Sequence, residues 1–170
     1  MSNEKFAAWL DKLKAMKNWD PDRNLPESLV THSSDAQWLE ADVTGNPSRI
    51  GVLLDLPARS FDLYLQEIPA GEASDLQRHP HESIHYVTEG AGYSEIGVST
   101  VEWGAGDFIY TPPWAWHRHY STSDVTTKIL LIENTPVVDH VGLAQRESAG
   151  LLSFAEFQKH NAPSSAPRED

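Results

Sequence analysis

Five of the eight histidines fall at positions 79, 81, 85, 117 and 119. Such crowding asks for a chemical reason, and neutral imidazole is the side chain most often used to bind a metal ion. Residues two apart on a β-strand face the same side, so His117 and His119 share one face and Gln77 and His79 another. Two such pairs on facing strands would surround an ion. The chain has no cysteine, which removes thiolate ligands, disulfides and a cysteine nucleophile and leaves nitrogen and oxygen to hold any metal. The competing reading of each histidine is a hydrogen-bonded core or rim residue. His81 is expected in a loop, and His32, His140 and His160, with no chemical neighbours in sequence, at the surface.

Positioning these side chains requires a rigid frame, and from residue 49 onward the sequence supplies short β-like runs broken by turn residues. The runs are Ile50–Leu56, Phe61–Ile68, Ile84–Thr88, Tyr93–Gly97, Ser99–Trp103, Asp107–Thr111, His117–Ser121 and Thr126–Glu133. Phe61, Leu63 and Leu65 alternate with Asp62, Tyr64 and Gln66, as a strand with one buried face demands. Turn signals at Glu89-Gly90-Ala91-Gly92 and Gly104-Ala105-Gly106-Asp107 separate the runs. The pattern predicts an all-β sandwich or barrel.

On either side the texture differs. Phe6, Trp9, Leu10, Leu13 and Met16 lie on one helical face, predicting a helix over about 4–17 that Asp20-Pro21 ends. Ser153 and Glu156 can form a capping box for a short helix running to about Lys159, and residues 161–170 (NAPSSAPRED) read as disordered. The expected organisation is an N-terminal helix and extended arm, anchored by Trp38 and packed on the barrel, over 1–47; the barrel over 48–142; and a C-terminal helix and tail over 143–170. At 170 residues the chain is sized for one core. A net charge of −12 repels phosphate backbones and anionic lipid, so nucleic acid and membrane surfaces are excluded as expected partners. No apolar run has membrane-spanning length and the N-terminus lacks a signal-peptide core, so the expected location is cytoplasmic.

The stretch GEASDLQRHPHESIHYVTEG (71–90) followed by GDFIYTPPWAWHRHYS (106–121) resembles the two motifs of the cupin superfamily. Gly71 and Gly90 frame the first motif, and Gly106, Pro112 and His117 carry the second. The resemblance implies a double-stranded β-helix, or jelly-roll barrel. It places the first motif histidine on Gln77, the second on His79, the motif glutamate on Ser83 and the second-motif histidine on His117. Gln77, His79 and His117 are therefore the expected metal ligands. His85 lies two residues beyond Ser83, and His119 two beyond His117, each expected to point inward as a further ligand or as a general acid/base. A slip of two residues is the alternative, with His79, His81 and His85 taking the His-His-Glu positions.

The run TPPWAWHRHYS is similar to gentisate 1,2-dioxygenase-like cupins, which cleave aromatic rings with Fe(II) held by three histidines. This implies one divalent ion, with Fe(II) favoured and Zn, Mn or Ni as alternatives. It also implies a small hydroxylated or carboxylated aromatic substrate, on which Trp114 and Trp116 would stack unless they serve core or dimer packing. Family analogy further implies a homodimer. The alternatives are a non-redox isomerase, cyclase or lyase, and a metal-poor binding or accessory subunit paired with a larger catalytic partner.

Overall fold

Alternating inward and outward side chains decide how this chain closes on itself. The computed structural model describes residues 2–17 and 25–161. Eleven strands lie in two sheets among the described residues: β1 (Gln37–Leu39), β2 (Arg49–Val52), β3 (Asp62–Ile68), β4 (Gln77–Arg78), β5 (Ser83–Glu89), β6 (Ala91–Ile96), β7 (Ser99–Gly104), β8 (Phe108–Thr111), β9 (His117–Ser121), β10 (Thr127–Glu133) and β11 (Glu147–Ser148). One sheet has the order β1-β2-β3-β10-β5-β8 and the other β11-β4-β9-β6-β7. Pairing is antiparallel throughout. The result is the expected all-β jelly-roll barrel, with helices at both ends of the chain: α1 (Ser2–Lys17), α2 (Ala41–Thr44), α3 (Thr135–His140) and α4 (Phe154–Asn161).

Register determines what each strand turns inward. Across β10 and β5, Ile129 faces Val87, Leu131 faces His85 and Glu133 faces Ser83. Toward one end, Ile68, Val87, Trp103, Ile109, Ile129 and Leu131 form the hydrocarbon core, with Tyr64 and Ile96 packed against it. Toward the other, the same inward rows continue as Gln66, His85, His117, His119 and Glu133. The barrel is thus apolar at one end and chemically equipped at the other. At Gly90 the chain leaves the first sheet for the second with φ +91, and a Cβ there would stand 2.5 Å from Thr127 Oγ1, so only glycine suits this corner.

Several expectations are refined. β2 ends at Val52 rather than Leu56, because Pro57 cannot donate to a ladder and restricts the residue before it. The arm before residue 48 is not merely laid on the barrel, since β1 pairs with β2 through Trp38 and Gly51 and becomes an edge strand. In the single chain the apolar stripe of α1 is uncovered, with Phe6, Trp9, Leu13 and Met16 exposed. Four lysines and two acids among its residues keep its other faces solvated. The capping box at α4 forms, with Ser153 N–H donating to Glu156 Oε2 at 2.9 Å and Glu156 N–H to Ser153 Oγ at 3.3 Å. The helix stop at Asp20-Pro21 and the disordered reading of most of 161–170 lie outside the described residues.

Candidate metal and substrate site

His79 follows β4, and its ring orientation is set by backbone. Its Nδ1 lies 3.0 Å from the carbonyl of His81, an acceptor only, so Nδ1 carries the hydrogen and Nε2 keeps its lone pair. Its own carbonyl accepts from Trp114 N–H at 2.7 Å, with Trp114 in the left-handed region at φ +63. The second-motif loop is thereby hooked onto the first. His117 repeats the device: Nδ1 donates to the Ala115 carbonyl at 2.9 Å, and Nε2 is buried without a hydrogen-bond partner. Backbone-fixed tautomers of this kind are how metal-binding imidazoles are commonly oriented.

The other histidines close around these two. The His79 and His81 rings stack at 3.6 Å between centroids, His117 meets His79 edge-on at 4.8 Å, and His119 lies 4.4 Å from His85 and 5.6 Å from His117. Ser94 Oγ accepts from Trp103 Nε1 at 2.8 Å and contacts His119 Nδ1 at 2.7 Å, so the indole steadies the imidazole through a hydroxyl. Either tautomer leaves His119 Nε2 buried and unpartnered. His85 Nε2 reaches Thr111 Oγ1 at 3.3 Å while its Nδ1 has no partner. Of the four buried side-chain polar atoms without a partner among the described residues, three are ring nitrogens of this cluster, and they mark a place made for something else to bind.

Glu133 completes the cluster. One carboxylate oxygen pairs with His81 Nε2 at 3.1 Å, and the other accepts from Ser83 Oγ at 3.1 Å. Donor atoms of His79, His81 and Glu133 all lie within 4.8 Å of one another. Two imidazoles and a carboxylate suit Fe(II), Mn, Ni or Zn, and with open positions the set is typical of non-haem Fe(II) oxygenases.

Electrostatics keep the nitrogens available. Burial, reinforced by the neighbouring His81, lowers the His79 pKa to about 4. Burial and His79 lower that of His119 to about 4 as well. Burial likewise holds His85 and His117 well below the ordinary value, each with His119 as the leading like charge. All four are neutral at pH 7, the form that ligates. Burial alone would raise the Glu133 pKa, but hydrogen bonding and charge from His81, with help from His79 and Ser83, outweigh it and lower it.

The cluster opens on a cavity of about 650 Å³ lined by Leu39, Val43, Ile50, Tyr64, Gln66, Gln77, His79, His81, His85, His119, Leu131, Glu133 and Arg146, among others. Of the residues singled out from sequence, Gln77, His79, His85 and His119 line it. His117 sits behind His79 and does not. Gln77 is paired with His117 across β4 and β9, and its Oε1 accepts from the Arg146 guanidinium. Trp114 and Trp116 lie outside the cavity: the Arg78 guanidinium stacks on both rings, and Trp116 packs on Phe157 of α4 at 4.4 Å. His81, read from sequence as a loop residue, does sit in the turn before β5, but with its ring buried in the cluster. Glu133 was missed, although its two-residue spacing from Leu131 and Ile129 marks the inward face.

The family profile of the cupin domain matches residues 64–133. Over 61 residues the chain is 38% identical to gentisate 1,2 dioxygenase 1 of Aquipseudomonas alcaligenes, a match covering 35% of this chain and 18% of that protein. Among solved structures it is similar to a cupin-2 domain protein from Rhodospirillum rubrum, with TM-score 0.57, 19% identity and coverage of 82% of this chain and 89% of that one. It is also similar to salicylate 1,2-dioxygenase from Pseudoaminobacter salicylatoxidans, with TM-score 0.53 and 15% identity, covering 87% of this chain and 36% of that one.

Proposed function

From the premise that this chain carries a cupin barrel with gentisate 1,2-dioxygenase-like similarity, we propose that its histidine cluster is a mononuclear metal centre. We further propose that the protein is a dioxygenase of small hydroxylated or carboxylated aromatic compounds, with Fe(II) the favoured ion. The observation that carries the reading is the set of buried imidazoles gathered at and just behind the cavity wall: His85 Nδ1 and His119 Nε2 on residues that line it, and His117 Nε2 beside His79, all lack a partner. His79, His81 and Glu133 would hold the ion, with His117 and His119 as further nitrogen donors and Gln77 approaching from the rim. When bound, the ion acts as a Lewis acid toward a phenolic oxygen and brings the two reactants together.

The chain's own residues do the rest. His85 and His119, each lining the cavity with a buried ring nitrogen that lacks a partner, would serve as further lone-pair donors or as the general acid/base for a phenolic proton. Leu39, Val43, Ile50 and Leu131 offer an apolar wall to a ring. Tyr64, whose pKa is raised by burial and by Asp62, stays a neutral phenol at the cavity wall. A homodimer in the cytoplasm is the assembly and location that go with this reading.

A second reading has its own support. Arg146 occupies Gln77 Oε1 and Ser83 offers only a hydroxyl, so two motif positions are spent on the protein's own bonds. This favours a metal-poor binding subunit. Metal analysis by plasma mass spectrometry on untagged protein separates the two. Near one equivalent in wild type, lost in His79→Ala and Glu133→Gln, followed by O2 uptake with gentisate, salicylate, hydroquinone or catechol, is the expected result. No metal after anaerobic Fe(II) loading would overturn the proposal.

A further inference from the structure

Gln66 lines the cavity, is 3% exposed, and has an Oε1 without a hydrogen-bond partner. Which end of its amide is left over is dictated by a chain of bonds with one consistent polarity. Asp75, itself buried, accepts from Arg146 and from Ser148 Oγ at 2.7 Å on one oxygen, and from Asn46 Nδ2 at 3.0 Å on the other. Because a carboxylate only accepts, the nitrogen of the Asn46 amide faces it and the oxygen faces away. There Asn46 Oδ1 accepts the backbone N–H of Ser48 at 2.9 Å and the Ser48 hydroxyl at 2.7 Å. Ser48 Oγ, its hydrogen given away, can only accept, and it takes an N–H from Gln66 Nε2 at 2.9 Å. The oxygen of the Gln66 amide is therefore the end left unsatisfied.

A buried acceptor held in this way costs the protein free energy until a donor arrives. We propose that Gln66 Oε1 is a specificity subsite that reads a hydrogen-bond donor on the ligand, a hydroxyl on a largely apolar ring, and rejects an ether or carboxylate oxygen at that position. The inference rests on the reading of the cavity as a site for hydroxylated aromatics and narrows it: the hydroxyl, not the carboxyl, faces β3. Asp75, Asn46 and Ser48 are positioning residues that prevent the amide from turning over, so the preference is built into the fold rather than chosen by each ligand.

The test is calorimetric binding to the purified protein of hydroquinone, salicylate and 3-hydroxybenzoate, each beside its O-methyl counterpart. Wild type should prefer at least one hydroxylated compound over its methyl ether by about tenfold or more. Gln66→Leu should bring that ratio to within about threefold. Ser48→Ala, which leaves the glutamine in place but releases the amide to rotate, should shrink the ratio by strengthening binding of the ether, an effect that mere damage to the cavity would not produce. An undiminished ratio in both variants would overturn the subsite while leaving the aromatic-substrate reading standing. Failure of wild type to bind any hydroxylated compound would overturn both.

Discussion

Acid should unfold the metal-free protein through its own histidines, and His119 allows the effect to be sized. Its imidazole is fully buried and its pKa lies near 4, against 6.5 for the exposed side chain of an unfolded chain. The folded state thus favours the neutral form. Above pH 6.5 both states are neutral and the stabilisation is complete. As pH falls from 6.5 toward 4 the unfolded chain takes up a proton that the folded chain refuses, and stability is lost across that window. The full difference is worth about 3 kcal/mol, and at pH 5 about 2 kcal/mol is already gone. Against a total stability of about 5–15 kcal/mol, that is a large share from one side chain. His79, with a pKa also near 4, adds to it in the same direction. The assay is urea unfolding with chelator present at pH 7.5 and pH 5, comparing wild type with His119→Gln. Wild type should lose about 2 kcal/mol more than the variant between the two conditions. Equal losses would refute the reasoning, because they would mean that His119 binds protons alike in both states.

Two further expectations follow from close contacts. Gly92→Ala would place a Cβ 1.9 Å from the Tyr120 carbonyl oxygen and 2.5 Å from the Trp103 ring; neither a paired backbone nor a packed indole can yield cheaply, so a loss of about 3 kcal/mol or more is expected in thermal or urea unfolding. Trp103→Phe deletes the indole N–H that holds Ser94 against His119. Metal affinity, measured by competition with a chromophoric chelator, should fall about 10–100-fold if the indole orients the imidazole through Ser94, and an unchanged affinity would show that it does not.

Which features could be read before folding follows from how far apart the cooperating residues are. The strands from β5 to β10 were legible because each declares itself locally, by alternation between turn residues, and their ends differ from expectation by only a residue or two. The strands β1, β4 and β11 were not, because two or three residues hold no period. His79 and His117 stood out by type and spacing. Glu133 did not, since its spacing from Ile129 and Leu131 puts it on the inward face but an acid ending a strand can still reach water from there. Only its register against Ser83 in β5 turns it toward His81. Arg146 is the extreme case, reaching Gln77 and Asp75 from 69 and 71 residues away.

The sequence by itself determined the all-β class, the absence of thiolate chemistry and the concentration of imidazoles at one place in the chain, because these depend on composition and on short-range periodicity, while the barrel followed only from the resemblance of two motifs. Tertiary structure alone decided which imidazole nitrogens remain without partners, that Glu133 joins His79 and His81, that Trp114 and Trp116 clasp Arg78 outside the cavity, and that the oxygen of Gln66 is the atom left waiting for a donor. Those outcomes depend on strand register and on hydrogen bonds between residues distant in sequence, whose polarity is settled only when every donor and acceptor around them has been placed.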